Sequence, residues 1–171
     1  MYAKQGCWTA WACLTTSAMQ SLERRIPPPV VAALIAAAMW PLSTTLPRVL
    51  VSTQMRVTMA IGIAIVGGAF SIAGAMAFRR AGTTVNPLRP ERASALVKGG
   101  VYRVTRNPMY VGLLLGLVAW TVGLASPVSL AGPVAFIIYI NRFQIEPEER
   151  VLLSRFGADY ETYRSGVRRW L

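Results

Sequence analysis

The sequence predicts an all-α fold, a polytopic membrane helical bundle of about four transmembrane helices with a cytosolic amphipathic C-terminal helix. Three observations predict it. Of 171 residues, 54% are hydrophobic, and the mean hydropathy is +0.43, more apolar than a soluble domain of this size. Apolar runs of about 17 to 22 residues recur, close to what a helix needs to cross the hydrocarbon of a bilayer. The cations flank these runs instead of covering a face interleaved with aromatics, so the net charge of +11 points to membrane boundaries and not to nucleic acid.

Residues 1–29 read as an interfacial or poorly ordered N-terminal segment. Its stretch CWTAWACLTTSAMQSL is too polar and short for a span, lacks a cleavage pattern and precedes Pro27-Pro28-Pro29. Cys7 and Cys13 have the spacing of neither a zinc site nor a redox CxxC. The first span is Val30 to Leu46, interrupted by Pro41 and closed by Pro47-Arg48. The second, Val57 to Phe78, carries no charge, reaches about 33 Å as an α-helix and stops at Arg79-Arg80. Gly67, Ser71 and Ala75 form a small-xxx-small row along it, which lets helices approach closely in lipid. The middle loop is punctuated by Gly82, Pro87, Pro90, Gly99 and Gly100, against a long helix.

The third span runs from Pro108 to about Ala125 and the fourth from Val128 to about Ile140; the short turn at Pro127 makes them an antiparallel hairpin. From Glu146 onward, Val151, Leu152, Phe156, Tyr160 and Tyr163 recur at helical spacing, an amphipathic helix broken at Gly157. Seven of the 18 cations lie between spans two and three, and six from Arg142 onward. The positive-inside rule therefore places both termini, the middle loop and any site they form in the cytoplasm, as in a multi-pass protein of a bacterial inner membrane.

With no histidine in the chain, His-based acid–base catalysis, Ser-His-Asp triads and most metal sites are excluded. Five of the seven acidic residues fall within 146–161. They read either as the solvated face of the tail helix or as Glu148 and Glu149 turned back to hold a cationic or hydroxyl-rich ligand. Arg142, with Asn141 at the end of an apolar run, either snorkels or lines a cavity. At the start of span three, Asn107 suits an N-cap and Pro108 a first helical position. Arg106 beside that helix end adds to an anion-binding corner, and Tyr110 offers a flat ring with a hydroxyl at its edge. The hairpin brings this corner beside the Glu pair. A ligand bearing a carboxylate and cationic centres matches both, and S-adenosyl-L-methionine is one.

LVKGGVYRVTRNPMYVG followed by EPEERVLLSRFGADYETYRSGVRRWL resembles the isoprenylcysteine carboxyl methyltransferase and phospholipid N-methyltransferase superfamily of integral membrane enzymes, over roughly residues 80–171. The resemblance implies a methyltransferase domain over residues 30–171, its cofactor-binding part at 80–171. It implies that Leu96, Val97, Tyr102, Asn107, Pro108, Met109, Tyr110 and Glu148 line the S-adenosyl-L-methionine pocket, to which the anion-binding corner and the Glu pair add Arg106 and Glu149 as cofactor-binding candidates, and that Phe156, Tyr160 and Tyr163 position the tail as a cover. Gly112 would allow close packing. Asn107 stands where the family has histidine, and Gln144 where the carboxyl methyltransferases have an arginine that meets substrate, with Arg142 nearby; these two are the substrate-binding candidates. No catalytic residue is assigned. The partners expected are the lipid bilayer and a lipophilic or small thiol, amine or carboxylate methyl acceptor. Two alternatives stand beside this reading: an NADPH-dependent membrane reductase of the sterol-reductase type, which the tail also resembles, and a non-catalytic membrane scaffold.

Overall fold

A computed structural model describes residues 26–45, 47, 49–82 and 96–171. The N-terminal segment up to residue 25 with both cysteines, and residues 83–95 of the middle loop, lie outside the described residues. Those described form helices and turns with no strand: α1 (Pro28–Leu42), α2 (Thr53–Arg80), a 3-10 turn (Gly100–Arg103), α3 (Pro108–Leu124), a second 3-10 turn (Pro127–Leu130), α4 (Ala131–Ile140), a π turn (Asn141–Ile145), α5 (Glu146–Phe156) and α6 (Ala158–Gly166).

Local chemistry sets the ends. Pro28 and Pro29 open α1 in positions that need no amide donor. The helix stops short of the expected Leu46 because the hydroxyls of Ser43, Thr44 and Thr45 donate to the carbonyls of Trp40, Pro41 and Leu42 at 2.6, 2.7 and 2.8 Å. α2 begins where the Ser52 hydroxyl accepts from the Met55 amide at 3.3 Å. It ends with Arg79 and Arg80 on the negative end of its dipole. Ala125, at φ 51, closes α3 in the left-handed region.

Among the described residues, two helical runs are long and apolar enough to cross a membrane, Thr53–Arg80 and Pro127–Phe156, while Pro28–Leu42 and Pro108–Leu124 are shorter apolar helices. The second run passes through Pro147. Proline lacks the amide that would bond to residue i−4 and its ring collides with that carbonyl, and the π turn immediately before it widens the helix at that point.

α2 buries only Gly67 and Gly74 and leaves Met59, Ile61, Ile65 and Ile72 exposed, an apolar exterior suited to lipid. Its tightest neighbour is α3. A Cβ on Gly67 would come within 2.8 Å of the Gly112 carbonyl, and one on Gly112 would collide with Ser71. The small-residue row is therefore Gly67, Ser71 and Gly74 instead of the expected Ala75, because Gly74 is the residue facing Pro108 and Met109. α1 lies against the hairpin: Trp40 stacks on Trp120 at 5.9 Å, the Trp120 indole donates to the Ala36 carbonyl at 3.1 Å, and Met39 fills the space left by Gly132. Met39, Leu117, Phe136, Ile140 and Ile145 make this core. A second, aromatic core of Tyr102, Tyr160 and Tyr163 lies where the tail helices meet the foot of α2, around Phe78, Leu96, Val97 and Phe156.

Candidate functional site

Two helix starts meet: that of α3 and that of α5, at opposite ends of the hairpin in sequence and adjacent in space. The Tyr110 hydroxyl donates to Glu148 Oε1 at 2.5 Å, a charge-assisted bond. One position further, Glu149 bonds to two arginines. Arg106 Nη1 lies 2.9 Å from its Oε1, while Arg169 donates from Nε at 3.1 Å and from Nη2 at 2.6 Å. Arg106 and Glu149 are nearly buried, at 11% and 12% side-chain exposure, so their attraction is less screened than a surface pair's. The bonds from Glu149 hold the Arg169 guanidinium above its ordinary pKa.

Asn107 occupies the N-cap position of α3, but its side chain makes no capping bond. Its Nδ2 donates instead to the carbonyl of Arg169 at 2.9 Å, which also accepts from the Thr105 hydroxyl at 3.2 Å. Thr105 in turn accepts from the Asn107 amide at 3.2 Å. Arg106 Nη1 reaches the Tyr160 hydroxyl at 3.4 Å, but Arg106 Nε is buried without an acceptor among the described residues.

Leu96 and Val97 pack half-buried against Tyr102, whose carbonyl accepts from the Tyr163 hydroxyl at 2.7 Å. Burial above all pushes the phenols of Tyr102, Tyr160 and Tyr163 up from their ordinary pKa of 10.0; for Tyr160, the Glu149 carboxylate adds to the rise and Arg106 opposes it. All three are therefore protonated hydroxyl donors at neutral pH. Pro108 and Met109 pack against Gly74 of α2.

The two substrate-binding candidates lie in the π turn directly before α5. Arg142 pairs with Glu146 at 3.3 Å, each side chain more than a third exposed. Gln144 is fully buried; its Nε2 donates to the Ile26 carbonyl at 2.8 Å and its Oε1 has no partner. A cavity of about 310 Å³ opens elsewhere, near the turn at the far end of the hairpin, lined by Val51, Met59, Val122 and Leu130.

The family model for phospholipid methyltransferases matches residues 55–159, which hold both helix starts. The chain belongs to the phospholipid methyltransferase family. A protein of Haemophilus influenzae known only as an uncharacterized protein is 49% identical over 63 residues, 37% of this chain and the whole of that protein. Protein-S-isoprenylcysteine O-methyltransferase A of Arabidopsis thaliana is 36% identical over 106 residues, 60% of this chain and 52% of the relative. The protein-S-isoprenylcysteine O-methyltransferase of Saccharomyces cerevisiae is 34% identical over 82 residues, 46% of this chain and 33% of the relative. The chain thus spans about half or less of these two plant and yeast proteins. No solved structure matches it.

Within this phospholipid methyltransferase family chain, sequence reasoning missed Thr105, Arg169 and Trp170. Trp170 donates from its indole to Asn141 Oδ1 at 3.2 Å and packs on the core that includes Tyr110. The two C-terminal residues carried no local signal, since Arg169 is one of six tail cations and only the return of the chain onto α3 singles it out.

Proposed function

We propose that the protein is an integral membrane S-adenosyl-L-methionine-dependent methyltransferase, with its site between the starts of α3 and α5. The observation that carries this reading is the Tyr110–Glu148 hydrogen bond, which joins the two halves of the family motif across the hairpin. The donor set fits the cofactor. Arg106 Nε is a buried donor lacking an acceptor, suited to a carboxylate. Glu148, oriented by Tyr110, suits an ammonium or a ribose diol, and Leu96, Val97 and Tyr102 offer an apolar, aromatic surface for a purine.

When bound, the cofactor supplies a methyl group on a sulfonium, a leaving group that needs no further activation. The chain's task is then alignment and exclusion of water. The absence of histidine is consistent with a reaction in which positioned residues bind and orient without proton transfer. Asn107, in the family's histidine position, gives its Nδ2 to the Arg169 carbonyl and does not titrate.

The acceptor enters from the bilayer and is lipophilic or carries its nucleophile on a small apolar body. Gln144 places no cation where a carboxylate would need one, and its unpaired Oε1 accepts a hydrogen bond, which favours an amine or thiol. In this reading α1 and α3, though short, also span, giving four spans with the site and both termini in the cytoplasm. The test is methyl transfer from labelled S-adenosyl-L-methionine to extracted membrane lipids and small thiols by protein in bilayers. Label in a lipid or thiol product supports the reading, and no transfer to any acceptor contradicts it.

A further inference from the structure

After α6 the chain turns extended at Val167 and runs back across the start of α3 as a C-terminal strap. Its bonds to Thr105, Arg106, Asn107 and Glu149 land at the candidate site. The Arg106 amide donates to the Arg168 carbonyl at 3.0 Å. Asn107 and Thr105 donate to the Arg169 carbonyl, the Arg169 guanidinium grips Glu149 through two bonds, and the Trp170 indole holds Asn141 of the π turn. The strap therefore ties the start of α3 to the start of α5. Tyr110 and Glu148, meanwhile, bond to each other. The family match stops at residue 159, before the strap begins.

We propose that the strap is a wall of the cofactor site and that Arg169 is a positioning residue acting through Glu149; this rests on the function proposed above. The physical argument is charge. Glu149 alone would draw Arg106 wholly onto itself, whereas the fork of Arg169 occupies both carboxylate oxygens from the other side. Arg106 is then fixed by one nitrogen, and its buried Nε is left as a donor for a ligand. A plug over the Arg106 side chain would bond to it, and that side chain bonds to Glu149 and Tyr160 instead.

The experiment is calorimetric titration of S-adenosylhomocysteine into the full chain in detergent, with a thermal melt of each variant. Arg169→Ala weakens affinity roughly tenfold, the scale of a lost charged hydrogen bond. Arg169→Lys, which keeps charge but not the fork, recovers part of it and serves if the alanine variant does not fold. Glu161→Gln, at an exposed position on α6 outside the strap, binds as wild type. In a Glu149→Gln background Arg169→Ala has no further effect, which a purely structural role would not produce. Unchanged affinity in Arg169→Ala, tighter binding, or full additivity with Glu149→Gln overturns the inference alone. No binding by wild type overturns the proposed function, and the inference with it.

Discussion

Tyr110 and Glu148 show what single residues contribute. They are 38 positions apart in sequence and bonded at 2.5 Å. Tyr110→Phe removes only that hydroxyl, and should lower S-adenosylhomocysteine affinity about tenfold with little change in melting temperature. Glu148→Gln should lower it more than Glu161→Gln, an exposed position on α6, and equal effects from the two would remove Glu148 from the site. Tyr163 makes a different prediction. Its phenol is pushed above 10.0 by burial and donates to the Tyr102 carbonyl. A group whose folded pKa is raised contributes stability that is complete below its unfolded value and lost as pH rises past it. Stability should therefore decline above a pH of about 10, and Tyr163→Phe should flatten that decline in pH-dependent melts. At this scale the sequence named candidate residues by type and motif, but not their bonds. Asn107 was legible as a helix start, yet its side chain serves the strap, because which carbonyl reaches it depends on a segment 62 positions away.

The α2–α3 crossing decides how the hairpin sits. Gly112 has no room for a Cβ against Ser71 and Gly67, while Gly116 has open space around it. Gly112→Val should destabilise by about 1–3 kcal/mol through overpacking, while Gly116→Ala should leave the melt unchanged or raise it slightly by helix propensity. Similar melts for both would mean that the crossing is looser than described. The small-residue row was visible in the sequence as Gly67 and Ser71, but a strict four-residue step led to Ala75. At 3.6 residues per turn, the face drifts and Gly74 is the third contact. The π turn had one sequence signal, Pro147, which forbids a regular helix through residue 143. That signal was overshadowed by the apolar run ending just before it.

For the whole molecule, composition sufficed to place it in a membrane class, since hydropathy and flanking cations are properties of the chain and not of its packing. The return of the C-terminal strap was illegible for the opposite reason, since it depends on contacts between remote segments. Topology is tested by replacing Cys7 and Cys13 and introducing Lys98→Cys or Leu130→Cys, both at exposed positions. A membrane-impermeant maleimide should label Leu130→Cys from outside intact cells and Lys98→Cys only after lysis, and the reverse pattern would invert the orientation. The central claim, that the starts of α3 and α5 form an S-adenosyl-L-methionine site, is tested most directly by calorimetric titration of the purified protein with S-adenosylhomocysteine and, separately, NADPH. The account predicts saturable binding of S-adenosylhomocysteine that Glu148→Gln weakens, and none of NADPH. Binding of NADPH alone, or of neither, would contradict it.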